Sequence, residues 1–240
     1  MARLLHWPSG LRADAREPLS GPRTVGSGAT TSIGDFTQTF SSPFGAWRWR
    51  FQFPPMHGQL FRRYRGWVAA LHGGANATRV PFCDWDGLSI PQMGVTATSH
   101  EWRRGQPWSN GQPWSNGQNW GSTPPIVPVV APAALGDTIV ELGNVFWGHN
   151  LGYGDLIGFY PFHLGLYMVT EVFDPGQYRI WPPLRNAVAD TDFATLKPTL
   201  AMRLENEDAA KAARGFARSE GASVVLVETF DYDVRDYFTE

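Results

Sequence analysis

Carboxylate and histidine side chains are the groups in this sequence whose types suit acid–base or metal chemistry. No two of the six histidines stand four residues apart, the spacing that would place two metal ligands on one face of a helix. Hydrolysis of a glycosidic bond needs two carboxyl groups about 5–10 Å apart. The carboxylates considered for such a pair are Asp84, Asp86, Asp137, Glu141, Asp155 and Glu171. Their spacing along the chain does not define a pair, and Asp155 is also typical of a turn.

Motifs for other reactions are missing from the sequence. It contains no phosphate-binding loop, no dinucleotide-binding fingerprint, no Gly-x-Ser-x-Gly and no His-Glu-x-x-His. Cys83 is the single cysteine, so neither an internal disulfide nor a cysteine-based metal site can form within the chain. We therefore expect a protein that is not an enzyme, with no catalytic residues, no cofactor and no metal site.

A hexapeptide repeat supplies candidate binding residues. Gly-Gln-Pro-Trp-Ser-Asn at 105–110 recurs at 111–116 and, imperfectly, at 117–122. Its content of Pro and Asn-Gly excludes a helix and favours consecutive turns. The repeat predicts a protruding loop whose tryptophans either bind a sugar or a partner protein, or pack within the loop or on a neighbouring subunit. These tryptophans are Trp108, Trp114 and Trp120.

Segment 46–53 places an aromatic residue at every second position, with Arg48 and Arg50 between them. This period predicts a strand with one buried aromatic face and one solvated face that carries the arginines. Arginine beside tryptophan is also typical of the centres of protein interfaces. Arg48 and Arg50 are therefore candidate interface residues.

A helix is expected over residues 58–72, ended by Gly73-Gly74, because its apolar residues fall on one stripe. That stripe consists of Leu60, Tyr64, Trp67, Val68 and Leu71. Strands are also expected at 35–40 and 79–83. Residues 35–100 are therefore predicted to form a strand–helix–strand part in which the helix packs on a sheet.

Residues 155–181 alternate short apolar runs with turn residues. We predict strands at 155–160, 165–172 and 177–181, the last two joined by an Asp-Pro-Gly turn at 174–176. Two prolines then end the third strand, because they remove two backbone donors in succession.

Further strands at 138–142 and 199–204 extend this pattern. Residues 135–205 are therefore expected to form a small antiparallel β-barrel or sandwich.

This segment resembles a small β-domain found in tail proteins of long-tailed, siphophage-like bacteriophages. The features that carry the resemblance are Gly154-Asp155 opening a strand, Tyr167-x-Val169, a turn with Gly176, Ile180-x-Pro182-Pro183-Leu184-Arg185 and a last strand near Pro198–Leu204. They cover about residues 135–205. In size and layout the chain is most similar to a distal tail protein.

The resemblance implies a structural protein of the virion tail. It implies a hexameric ring of copies of this chain that joins the tail tube protein to hub or tip proteins, with DNA at most passing through the lumen. An alternative function is a carbohydrate-binding or host-glycan-recognising module that uses the Trp-rich loop. The net charge of −2 requires no nucleic-acid partner.

The first and last segments complete the predicted organisation, which is an α+β, mainly β fold. Residues 1–34 contain few large apolar groups and are expected to form an extended arm, either loose or crossing to a neighbour. Residues 101–134 combine the Trp-rich loop with a Pro-rich linker or edge strand. In 206–240, Asn206 is expected to cap a helix that reaches about Ser219, followed by a strand and a tail.

The sequence shows neither a signal-peptide pattern at Met1 nor an apolar run long enough for a membrane span. We therefore expect synthesis in the host cytoplasm and no membrane partner.

Overall fold

The structure is a computed structural model that describes most of the chain. The described residues are 3–25, 30–31, 37–38, 41–96, 98, 105, 112, 115, 119, 123–161, 163–214 and 219–230. The chain forms two compact units. One combines Met1–Pro81 with Thr199–Glu240, and the other is Phe82–Pro198.

Fifteen strands and one α-helix are found among the described residues, which confirms the α+β, mainly β fold class. The strands are β1 Leu4–His6, β2 Ala15–Val25, β3 Thr30–Thr31, β4 Thr37–Gln38, β5 Ser41–Phe53, β6 Ala77–Pro81, β7 Val127–Pro128, β8 Ile139–Glu141, β9 Leu156–Tyr160, β10 Tyr167–Asp174, β11 Gln177–Trp181, β12 Phe193–Thr195, β13 Thr199–Leu204, β14 Ala210–Arg214 and β15 Ser219–Glu228. The α-helix α1 spans Gly58–Ala70, and short 3-10 helices span His72–Gly74 and Glu207–Ala209.

A seven-stranded sheet forms the centre of the first unit. Six strands lie in the order β1-β6-β13-β15-β5-β2, and β14 pairs with the first half of β15. β1 is parallel to β6, and the other neighbours are antiparallel. The sheet therefore joins strands from both ends of the chain.

The aromatic face of β5 is buried, as its alternating sequence predicts. Trp47, Trp49, Phe51 and Phe53 lie on this face. The polar residues between them remain partly or fully exposed. Each buried aromatic side chain removes a large apolar area from water, so β5 anchors the core of the first unit.

Helix α1 packs on the sheet through aromatic contacts. The ring centroids of Tyr64 and Phe53 are 5.6 Å apart. Trp7 contacts both elements, because its ring centroid lies 5.5 Å from that of Phe51 and 5.0 Å from that of Trp67. The helix agrees with the predicted span, and Tyr64, Trp67 and Leu71 of the predicted stripe are buried. Phe61, rather than Leu60, is buried.

The second unit contains a closed six-stranded antiparallel barrel. Its sheet has the order β7-β12-β9-β10-β11-β8. The two end strands are joined in turn by an antiparallel bridge between Val129 and Leu142. The amide of Gly143 donates to the carbonyl oxygen of Pro128 and the amide of Val130 donates to that of Glu141, both at 2.9 Å. Of the two predicted architectures, the barrel is the one found.

The meander β9-β10-β11 lies close to its predicted position. β10 and β11 pair from Met168–Trp181 to Asp174–Gln177, with irregularities after Val169 and after Val172. Gly176 has φ +98°, and an added Cβ would meet His149 and the carbonyl oxygen of Leu142. Glycine is therefore required at this turn both for its backbone conformation and for space.

The helix predicted after Asn206 is wrong. Glu207–Ala209 forms only a short 3-10 helix, and residues 210–214 form β14, which pairs with β15. The predicted helical stripe consisted mainly of alanine and buries little apolar area, so tertiary packing would add little to the helix. Pairing with β15 instead satisfies the backbone groups of this segment.

The predicted extended arm and two boundaries also need correction. Residues 4–6 and 15–25 are strands of the first unit's own sheet. Residues 127–130, expected in a linker or edge strand, help to close the barrel. Strand 199–204 pairs with β6 and β15 in the first unit instead of completing the barrel. Each correction concerns pairing between segments that are distant in sequence.

Replacing Phe51 tests whether β5 anchors the first unit. Phe51→Ala should lower the free energy of unfolding by about 3–5 kcal/mol, because it leaves a cavity among packed rings. Gln52→Ala is the matched control on the exposed face and should change it by less than about 0.5 kcal/mol. Urea unfolding followed by far-ultraviolet circular dichroism measures both. Equal destabilisation by the two variants would contradict the assignment of the buried face.

Candidate functional site

The predicted interface residues Arg48 and Arg50 lie on the exposed face of β5. Arg48 forms an ion pair with Glu205 at 2.5 Å, and Arg50 forms one with Glu17 at 3.2 Å. All four side chains keep 28–50% of their surface exposed. These pairs belong to a solvated sheet face, where an isolated ion pair adds little stability. Their part in an interface stays a prediction.

The tryptophans of the repeat, Trp108, Trp114 and Trp120, lie outside the described residues. Their predicted role in binding or packing therefore stays a prediction.

Two of the candidate carboxylates are brought together in the second unit. Asp84 and Asp155 line one cavity of about 160 Å³. Two of the other candidates have structural roles: Asp137 accepts a hydrogen bond from the amide of Ala134, and Glu171 forms an ion pair with Arg179. Asp84 and Asp155 are the candidate carboxylates that share this cavity.

Local turns position both carboxylates at the cavity. Oδ1 of Asp84 accepts the amide hydrogen of Asp86 at 3.0 Å. Oδ2 of Asp155 accepts that of Gly152 at 2.7 Å, just before β9 begins. Such side-chain-to-backbone bonds are typical of aspartate in turns. They hold one oxygen of each carboxylate in its turn.

The electrostatic environment of Asp155 is unusual for a turn residue. Its partial burial raises the pKa of the carboxyl, the hydrogen bond from Gly152 lowers it, and the negative charge of Asp84 raises it further. Burial and a neighbouring like charge both disfavour the ionised form. A ligand that donates a hydrogen bond to the carboxylate would favour its ionised form and so offset the effects of burial and of the charge on Asp84.

The remaining lining residues have mixed chemistry. Lys197 contributes an ammonium group, Cys83 a thiol, and Leu88 and Leu156 apolar surface. No group of three or more potential metal ligands occurs among the described residues. Lys197 and Asp84 could not be paired from the sequence, because they line one cavity only through the fold of the second unit.

Two large exposed aromatic residues are close in sequence to the carboxylates that line the cavity. Trp85, with 85% of its surface exposed, follows Asp84, and Tyr153, 72% exposed, precedes Asp155 by two residues. Large exposed apolar side chains of this kind often mark binding surfaces when they occur together.

A buried polar cluster at the barrel was not predicted. Tyr167 is fully buried, and its hydroxyl oxygen accepts the amide hydrogen of Arg185 at 2.9 Å. The same hydroxyl lies 2.5 Å from Nε2 of His163. A neutral His163 can pair with this hydroxyl, and the tautomer of its ring decides which of the two groups donates the hydrogen bond. A histidine in an irregular loop carries no sequence signal for such a role.

Comparisons with known proteins do not assign the chain. No family model matches it, and no curated protein matches it. Among the described residues, no helix has the length and apolar character needed to cross a membrane.

The stability of the protein should fall as the pH is lowered from 6.5 to 4. Burial lowers the pKa of His163 from 6.5 to about 4, Asp192 opposes this shift, and Arg185 adds to it. Between these values the unfolded chain binds more protons than the folded chain, so protonation favours unfolding. The loss has an upper limit of about 3 kcal/mol and levels off below the folded pKa.

The measurement is the free energy of unfolding as a function of pH. His163→Gln should remove this part of the pH dependence, whereas His57→Gln, at an exposed position, should retain it. An unchanged pH dependence in His163→Gln would contradict the buried neutral state. The comparison between variants separates this effect from the titration of carboxylates.

Proposed function

We propose that the protein is a structural component of a bacteriophage tail, the distal tail protein that forms a ring between the tail tube and the tip or baseplate. The observation that carries the proposal is the place of the tail-like sequence features in the fold. They fall mainly on β9, β10 and β11 and on the segment that follows, which together form a large part of the barrel. The last feature, the strand near Pro198–Leu204, pairs instead within the sheet of the first unit, so the resemblance covers part of the barrel.

The residues that carry the resemblance have structural roles in the barrel. Tyr167 and Val169 point into the core, and Leu184 is buried beside them in the second unit. Gly176 forms the turn between β10 and β11. The amide of Arg185 is bonded to the hydroxyl of Tyr167. A pattern based on such constraints supports a shared type of domain, while the function of that domain must still be tested.

Exposed apolar residues on the second unit support assembly. Ten large hydrophobic residues are exposed in the part of the chain that the structure describes, and all of them belong to this unit. They are Trp85, Ile126, Val130, Leu135, Ile139, Val145, Phe146, Tyr153, Tyr160 and Phe173. A ring subunit needs two different complementary surfaces, so exposed apolar residues are expected on it.

The edge strand β2 favours assembly through side chains rather than through added strands. Pro18 and Pro22 lie within β2, and neither has an amide hydrogen to donate. Its pairing with β5 is irregular at several points. Prolines and irregularities are devices that discourage further strand addition at a sheet edge.

The first test is the mass of the purified protein. Light scattering at several concentrations should show an oligomer with the mass of a closed ring, six times 26.7 kDa for a hexamer. Negative-stain images of the same sample should show a central hole. A protein that remains monomeric at every concentration, with no rings in the images, would contradict the ring.

A charge exchange tests the predicted interface role of Arg50. The double variant Glu17→Arg, Arg50→Glu keeps opposite charges at the two partners. It reverses the sign of the charge that each position presents to a neighbouring subunit. If Arg50 lies in the ring interface, the variant should fold with an unchanged melting temperature and form fewer rings. Glu17→Gln is the control, because it removes the partner charge and leaves Arg50 unchanged. Normal ring formation by the first variant would exclude Arg50 from the interface without contradicting the ring itself.

A further inference from the structure

The cavity beside Asp84 and Asp155 offers hydrogen-bond acceptors, a donor and apolar surface. Each carboxylate uses one oxygen in its own turn. Within the described part of the chain, the second oxygen of each accepts no hydrogen bond. Lys197 adds an ammonium group with three donors, and leucine side chains form part of the wall.

The charges of these groups restrict the kind of ligand. An anion would face two carboxylates, Asp84 and Asp155. An organic cation would be attracted by the two carboxylates but repelled by the ammonium group of Lys197, and a metal ion would also lack a third protein ligand among the described residues. A neutral hydroxyl group avoids both conflicts, because it can donate to a carboxylate and accept from an ammonium at the same time. Hydrogen bonds to charged partners are also stronger than bonds between neutral groups.

The size and borders of the cavity restrict the ligand further. Its volume of about 160 Å³ is below the 300–1,000 Å³ of typical drug-sized pockets and equals the space of about five water molecules. One small ring fits such a volume. Trp85 and Tyr153, which are exposed, lie close in sequence to the lining carboxylates.

We infer that this cavity binds one neutral sugar ring of a saccharide. The hydroxyl groups of the ring bond Asp84, Asp155 and Lys197, and its C–H groups contact the apolar wall. Since every lining residue belongs to the second unit, the site is complete in a single chain. The inference therefore does not depend on the ring proposed above, and either can fail without the other.

The test is saturation-transfer nuclear magnetic resonance on the full chain. The probes are the methyl glycosides of glucose, galactose, mannose, rhamnose and N-acetylglucosamine. At least one should bind with a dissociation constant on the order of 1 mM, the affinity of a small, mostly polar contact. Ethylammonium and acetate serve as the cationic and anionic probes and should bind more weakly.

Substitution of both carboxylates should abolish the saturation-transfer signal of the bound glycoside. Asp84→Asn with Asp155→Asn should weaken binding at least about tenfold, while each asparagine keeps a carbonyl oxygen for its turn. Asp174→Asn is the control for the chemical change itself, because it converts an exposed aspartate outside the cavity to asparagine. Melting curves verify that the variants are folded.

A cavity-filling variant provides an independent test. Gly87 lines the cavity, and an added Cβ there would lie 3.4 Å from Cβ and 3.6 Å from Oδ2 of Asp84, which are ordinary contact distances. Gly87→Leu should therefore fold and exclude the glycoside. Gly66→Leu is the control, because an added Cβ at this helical position has no atom within 4 Å.

Three outcomes would overturn the inference. The first is that no glycoside binds the wild-type chain. The second is that binding persists in the folded double asparagine variant and in Gly87→Leu. The third is a stronger response to ethylammonium or acetate, which would assign an ion site instead.

Discussion

The second unit depends on the pairing of residues 128–130 with residues 141–143. These backbone hydrogen bonds join the two end strands of a six-stranded sheet, so that β7 and β8 each have a partner on both sides. Closure removes unpaired edges and encloses alternate side chains. Pro128 fits this position because its carbonyl oxygen, not an amide hydrogen, forms the bond to Gly143. An added Cβ at Gly143 would lie 3.0 Å from Cγ of Pro128, so a small residue allows the strands to approach.

Two buried polar side chains of the barrel are bonded to connecting segments. The hydroxyl of Tyr178 donates to the carbonyl oxygen of Gly148 at 2.9 Å, and Nε1 of Trp147 donates to that of Pro125. Both bonds attach connecting segments to side chains of the core. Because an unpaired buried polar group costs about 1–3 kcal/mol, these bonds restrict the loops at the barrel as well as filling it. The loop that ends at Asp155 is therefore held in place by the core.

The parts of the fold that could be predicted are those set by neighbouring residues. The period of two in β5, the helical stripe of α1 and the Asp-Pro-Gly turn at 174–176 each act over a few positions. β14 shows the opposite case: Asn206 and the alanines after it favour a helix locally, but pairing with β15 determines the structure. β2 and β13 were misplaced for the same reason, because their partners are distant in sequence.

The candidate site, like the fold, depends partly on local sequence and partly on contacts between segments that are distant in sequence. The turns that hold Asp84 and Asp155 can be recognised locally, but their common cavity with Lys197 depends on the packing of segments from three parts of the second unit. Of these residues, only Asp155 belongs to the features that resemble tail proteins. The other features support the barrel, so they constrain its fold without constraining the ligand. Binding residues often lie on the segments that connect the strands, and these segments can differ between proteins of the same fold. The ligand of the cavity therefore has to be inferred from the side chains that line it.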